Sequence, residues 1–79
     1  MTLQKEIIME QKFLTLMQEE VLDTDVEISM DMNLNDIEEW DSLSVVSFIA
    51  TANTSFGKKV ARQDVLAAVT VLDLYDLVK

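Results

Sequence analysis

One hydroxyl is placed to do chemistry. Ser42 stands in the run Glu39-Trp40-Asp41-Ser42-Leu43, immediately before the strongest helical pattern of the chain. The start of a helix leaves backbone N–H groups unpaired and carries the positive end of the macrodipole, so a phosphate attached there is stabilised. A phosphodiester on Ser42 would be favourably placed. The same residues also suit a plain helix start, with Asp or Ser as the N-cap and Trp40 as a core plug. A second cluster, Asp31, Asn33, Asn35 and Glu39, offers oxygen ligands and invites a calcium reading. A calcium-binding loop beginning at Asp31 needs Gly at its sixth position and Glu at its twelfth, where this chain has Asp36 and Ser42. Beginning at Asp23 puts Ile28 at the sixth position, which is no better. The acids therefore read as solvated or as a docking surface, and no metal site is assigned.

The chain has no Cys and no His. That excludes disulfides, zinc fingers, thiolate nucleophiles and imidazole bases, so any thiol chemistry needs a thiol supplied from outside the polypeptide. Its 79 residues predict one small domain, 1–79, with a core too thin to enclose a deep catalytic cleft. Residues 1–41 hold twelve acids and two lysines, whereas residues 42–79 hold three acids and four bases. An acidic half of this kind repels nucleic acid and anionic lipid and favours partners with basic patches. The longest apolar run, Val65 to Val69, is far short of the ~20 residues of a membrane span, and no basic-then-apolar leader opens the chain. A soluble, cytoplasmic monomer is expected.

The elements that position Ser42 read as helices. Thr2 is a candidate N-cap for a first helix over Leu3 to Leu22, with Leu3, Ile7, Leu14, Met17 and Val21 on one face. From Asp23 to Asp41 the periodicity fails, and Ile28, Leu34 and Ile37 are the residues able to anchor a long loop. Val45, Phe48, Ile49, Ala52 and Phe56 then form an apolar stripe at helical spacing, with Ser44, Ser47, Thr51 and Thr54 on the opposite side. Gly57 is the expected left-handed end of that helix, followed by Lys58 and Lys59 at its negative pole. A short helical segment is expected around Gln63 to Ala68. A last helix starts after Thr70, with Asp73 completing an approximate capping box and Val71, Leu74, Tyr75 and Val78 buried. The fold class is all-α: a small four-helix bundle of three main helices and a short third one, with a long loop between helices one and two.

Asp41-Ser42-Leu43 at the start of the second helix of a small acidic bundle resembles the signature of the acyl and peptidyl carrier proteins. Leu34 and Ile37 look like the family's anchors before the motif. Phe56-Gly57 ends the helix at the family's spacing, and Thr70-Val71 looks like the start of its final helix. The resemblance covers nearly the whole chain.

It implies that Ser42 accepts 4′-phosphopantetheine from coenzyme A through a separate magnesium-dependent phosphopantetheinyl transferase, and carries an acyl or aminoacyl group as a thioester. The serine is then a substrate and the chain is not an enzyme. Partners would be that transferase and the enzymes that activate and transfer the carried group. Asp41 would help position the transferase, and Leu43, Val46 and Ala50 form the face of helix two where such carriers meet partners. Acidity stands just before that helix, at Asp36, Glu38, Glu39 and Asp41, while Ser44 to Phe56 carries no charge. Trp40 replaces the small residue often found before the motif aspartate. Carriers of fatty-acid synthesis usually have an acidic second helix, so these departures point to a dedicated carrier in a specialised pathway rather than to housekeeping synthesis. Val45, Phe48, Ala52, Val60 and Val65 could line a space for an acyl chain, although ordinary core packing explains them better. The competing reading is an acidic interaction module with the same fold that is never modified.

Overall fold

The computed structural model describes residues 2–79, with side chains from Ile8 onward. Its elements in chain order are α1 (Thr2–Leu16), α2 (Ser42–Phe56), α3 (Arg62–Ala67) and α4 (Val71–Asp76). The architecture is the expected small all-helical bundle. The first helix continues past Leu16 as a wider π-helical turn, Met17–Val21, so the helical stretch ends one residue before the expected Leu22. Thr2 is already helical rather than the cap expected before Leu3, and the expected inward-facing Leu3 and Ile7 lie outside the described side chains.

In the first helical stretch Met17 and Val21 are buried as expected, but Phe13 takes the inward place expected of Leu14. Phe13, Met17 and Val21, at i, i+4 and i+8, are the buried residues among that stretch's described side chains, while Leu14 is half-buried on the flank. Phe13 is the hub of the core. Its ring meets Phe48 of α2 edge-on at 6.3 Å, Phe56 at 6.1 Å and Tyr75 of α4 at 5.2 Å. Three helices thus converge on one side chain, an arrangement that edge-to-face ring contacts favour. Lys12, one residue earlier, sits over the outer face of Phe56 at 5.4 Å and closes the seam between α1 and α2.

In α2 the stripe holds, with Val45, Phe48 and Ala52 buried and Ile49 and Phe56 half-buried at its rim. Ser44 departs from expectation: it lies inside rather than on the polar side, for a reason given below. Gly57 adopts φ 67° and ends the helix, its N–H donating to Asn53 O at 3.1 Å and that of Lys58 to Ala52 O at 3.0 Å.

Ile28, Leu34 and Ile37 anchor the long loop as expected, all buried, with a single 3-10 turn at Leu34–Asp36. The loop is also stapled to the last helix in a way the sequence does not announce. An antiparallel bridge pairs Asn33 with Thr70, and Leu34 N–H donates to Val69 O at 2.9 Å. The N–H groups of Val71 and Leu72 donate back to Met32 O and Met30 O at 3.0 and 2.9 Å. The first donors of a helix have no partner within it; here the loop carbonyls satisfy two of them, and the Thr70 hydroxyl accepts from a third, Asp73 N–H, at 3.3 Å.

Asp73 completes the capping box. Its Oδ2 accepts from Val69 N–H at 2.9 Å and Thr70 N–H at 3.1 Å. Those two backbone bonds, assisted by the Thr70 hydroxyl, hold its carboxyl below the ordinary aspartate value. A depressed acid stabilises the fold above its unfolded pKa and loses that contribution as pH falls through its folded value. Asp73→Asn is therefore expected to flatten the acid limb of the stability curve while changing its neutral-to-alkaline shape little. Denaturant midpoints measured at several pH values below and above 4 would check this, and parallel acid limbs in the two proteins would contradict it.

Candidate functional site

The helix start that holds Ser42 is built by its neighbours. Asp41, extended at φ −143°, is the N-cap of α2, and its Oδ1 accepts from Ser44 N–H at 3.0 Å. The buried Ser44 hydroxyl donates to Glu39 O and lies 3.2 Å from the same carboxylate oxygen. The side chain that sequence reading put on the polar face thus ties the cap to the preceding turn. The Asp41-x-x-Ser44 spacing, cap to third helical residue, was the signal available for it. Glu39 is fixed in turn by Thr24, whose hydroxyl donates to its Oε2 at 2.8 Å across the loop.

Because Asp41 does the capping, Ser42 is released from it. Ser42 is the first residue of α2 and is exposed, and among the described residues its hydroxyl has no hydrogen-bond partner. It stands beside the early N–H groups of a fifteen-residue helix, where a phosphate gains from backbone donors and the macrodipole. A phosphodiester group fits here: the hydroxyl is accessible, no described residue competes for it, and the local field favours an anion.

Of the residues expected around it, Asp36 and Glu38 are exposed and open to a partner, whereas Glu39 and Asp41 are partly committed to building the turn. Trp40 is half-buried against the core, so it acts at least as a plug. Leu43 is 76% exposed and Val46 54%, and Ala50 is exposed on the same side of α2. Apolar side chains this open are not packing the bundle. Val45, Phe48, Ala52 and Val65 are at most 2% exposed and close on one another, while Val60 is half-buried at the edge. A shallow groove is lined by Val60 and Ala50, both named from the sequence, together with Ile49, Asn53 and Lys59, which sequence reading did not place at a site. The calcium-suggesting side chains have local roles instead: Asn33 caps the 3-10 turn through Asn35 N–H, and Ser29 donates to Asp31.

The arrangement is a helix-start serine made accessible by a separate cap, on a small helical bundle, and it is that of a carrier domain. The chain matches the family model described as the phosphopantetheine attachment site over residues 11–78, and it belongs to that family. Its covalent group is accordingly 4′-phosphopantetheine, and members of the family are generally carriers rather than catalysts. No curated protein and no solved structure matches the chain significantly. Among the described residues no helix is long and apolar enough to cross a membrane.

The cap makes a separate prediction. Asp41→Ala removes the acceptor of the Ser44 N–H and should cost about 1–2 kcal/mol, and Ser44→Ala should cost about 1 kcal/mol by freeing the Glu39 carbonyl. Urea denaturation checks both. Equal stability of Asp41→Ala and wild type would mean that Ser42 takes over the cap.

Proposed function

We propose that Ser42 is the attachment point and that residues 1–79 act as one monomeric carrier domain in the cytoplasm. The observation that carries this is the division of labour at the helix start: Asp41 satisfies the N-terminal donor, leaving the Ser42 hydroxyl exposed and without a partner. In the loading step Ser42 Oγ bonds to the phosphorus of coenzyme A that bears the pantetheine. The pyrophosphate bond breaks, adenosine 3′,5′-bisphosphate leaves, and the serine proton passes to the transferase. The chain itself supplies the oxygen, the orientation of the helix start and a local field favourable to the phosphodiester. The bound arm supplies the thiol that a Cys-free chain lacks.

On this reading the domain is not an enzyme, and it moves acyl or aminoacyl thioesters between partners in a specialised pathway. Tethering works by raising the effective concentration of the carried group at each partner's active site. Partners approach over Leu43, Val46 and Ala50, with Asp36 and Glu38 steering basic surfaces to the loop side and Asp41 orienting the transferase. An α2 without charge on its surface suits brief contacts, since no strong ion pairs form along it. Incubation with coenzyme A, magnesium and a broad-specificity phosphopantetheinyl transferase should add the mass of one phosphopantetheinyl group. Absence of any gain in a folded, previously unmodified sample would favour an interaction module.

A further inference from the structure

Glu38 and Glu39 stand side by side just before the helix that begins with Ser42, in different surroundings. Glu38 is exposed. Glu39 is half-buried, and its Oε2 accepts from the Thr24 hydroxyl at 2.8 Å, a bond between residues fifteen positions apart. A hydroxyl donating to a carboxylate makes a charge-assisted bond, one of the stronger kinds in a protein.

Thr24 is itself fixed at the end of the first helical stretch. The π-helical turn closes with Leu22 N–H donating to Met17 O at 2.9 Å, and Thr24 N–H donates to Gln18 O at 3.0 Å. Between them Asp23 takes φ 49°, the one positive φ outside glycine among the described residues, and turns the chain there. The Thr24 hydroxyl accepts from Val26 N–H at 3.1 Å, which leaves its proton for Glu39. From Glu39 the connection runs on through the backbone. Its carbonyl accepts from the Ser44 hydroxyl, Ser44 N–H donates to the Asp41 cap at 3.0 Å, and Trp40 N–H closes the turn on Ile37 O at 3.1 Å. Ser42 lies inside this set of bonds, and its hydroxyl takes no part in them.

We propose that Thr24 is a positioning residue for loading: through Glu39 it braces the turn that sets the position of Ser42, and Glu39 is the inner end of that brace rather than a docking charge. This role rests on attachment at Ser42. The surfaces assigned to partners, Leu43, Val46 and Ala50 with Asp36 and Glu38, lie outside the brace. Cutting it therefore leaves the encounter with the transferase intact and loosens the nucleophile within the complex, which lowers kcat rather than raising KM.

The test exchanges charge and bond. Thr24→Val keeps the side chain's shape and every charge but removes the donor, whereas Glu39→Gln removes the charge and keeps an oxygen that accepts. Loading from coenzyme A and magnesium by a broad-specificity phosphopantetheinyl transferase is followed by intact mass, with the concentration of the full chain varied. Thr24→Val is expected to lower kcat on the order of fivefold with KM unchanged, well inside the roughly hundredfold loss that a small misplacement can cause. Thr24→Ser should restore kcat, and Glu39→Gln should lower it less than Thr24→Val does, because a neutral acceptor still bonds. Unchanged kcat in Thr24→Val, a fall that Thr24→Ser fails to restore, or a KM that rises in Glu39→Gln while Thr24→Val loads normally would each overturn the role. Unfolding of Thr24→Val, seen by circular dichroism, would overturn it too, because the bond would then hold the fold and not the site. Failure of the wild type to gain mass is a separate result, and it would remove attachment at Ser42 and this role with it.

Discussion

Ser42→Ala is expected to abolish phosphopantetheine addition completely while changing stability by no more than about 0.5 kcal/mol. The two halves of this result have separate causes. Addition is lost because, among the described side chains, no other hydroxyl is both exposed and first in a long helix: Ser44 is buried and bonded to Glu39, and Ser47 lies further along α2, half-buried, away from the N-terminal donors. Stability is kept because the capping bond runs from Ser44 N–H to Asp41, and the Ser42 side chain contributes no hydrogen bond to the fold among the described residues. Mass spectrometry after transferase treatment and a urea titration measure the two quantities on the same sample. A variant that is still modified, or that loses ~2 kcal/mol or more, would show that Ser42 is not the accessible, structurally idle residue described above.

The largest structural effect is expected at Phe13. Truncation to alanine removes the ring that meets Phe48, Phe56 and Tyr75, leaving a cavity where three helices converge. Such losses cost about 3–5 kcal/mol, a large share of the stability of a small domain. Thermal unfolding followed by circular dichroism should show a midpoint lower by roughly 15–30 °C, since each kcal/mol shifts a domain of this size by about 4–8 °C. Phe13→Leu, which keeps most of the volume but loses the ring contacts, should fall between the two. A drop of less than about 5 °C for Phe13→Ala would mean that the core does not depend on this hub. Loss of the fold would also remove the helix start that orients Ser42, so loading should decline as the folded population does.

How much of this was legible in the sequence depends on whether a feature is local. The α2 stripe, Gly57 as its end, and the Thr70–Asp73 box are each set by residues a few positions apart, and the structure realises them as expected. Ser42 at a helix start is local in the same sense. Phe13 was missed because the face of α1 was traced through Leu14, one position round the helix. The tighter i, i+4, i+8 series Phe13, Met17, Val21 would have located the buried stripe. Ser44 was misplaced because a hydroxyl opposite an apolar stripe ordinarily faces water; what buries it is the carbonyl of Glu39, brought there by the loop. The staple between residues 30–34 and 69–72 pairs two segments without periodicity, and a single bridge leaves no pattern in either.

The loop is therefore more than a connector. Through Thr24 and Glu39 it holds the turn before α2, through the Met30 and Met32 carbonyls it caps α4, and through Leu34 N–H it is tied to Val69 just before that helix. The position of Ser42 thus depends on the loop and, through it, on α4, which links the carrier site to more of the bundle than one helix.

The most direct test of the central claim is peptide-level localisation of the added group. After transferase treatment, proteolysis and tandem mass spectrometry should place the whole phosphopantetheine mass on Ser42 and none on Ser29, Ser44, Ser47 or Ser55. Addition at Ser44 or at any other hydroxyl would contradict the account, as would no addition to the folded, unmodified protein.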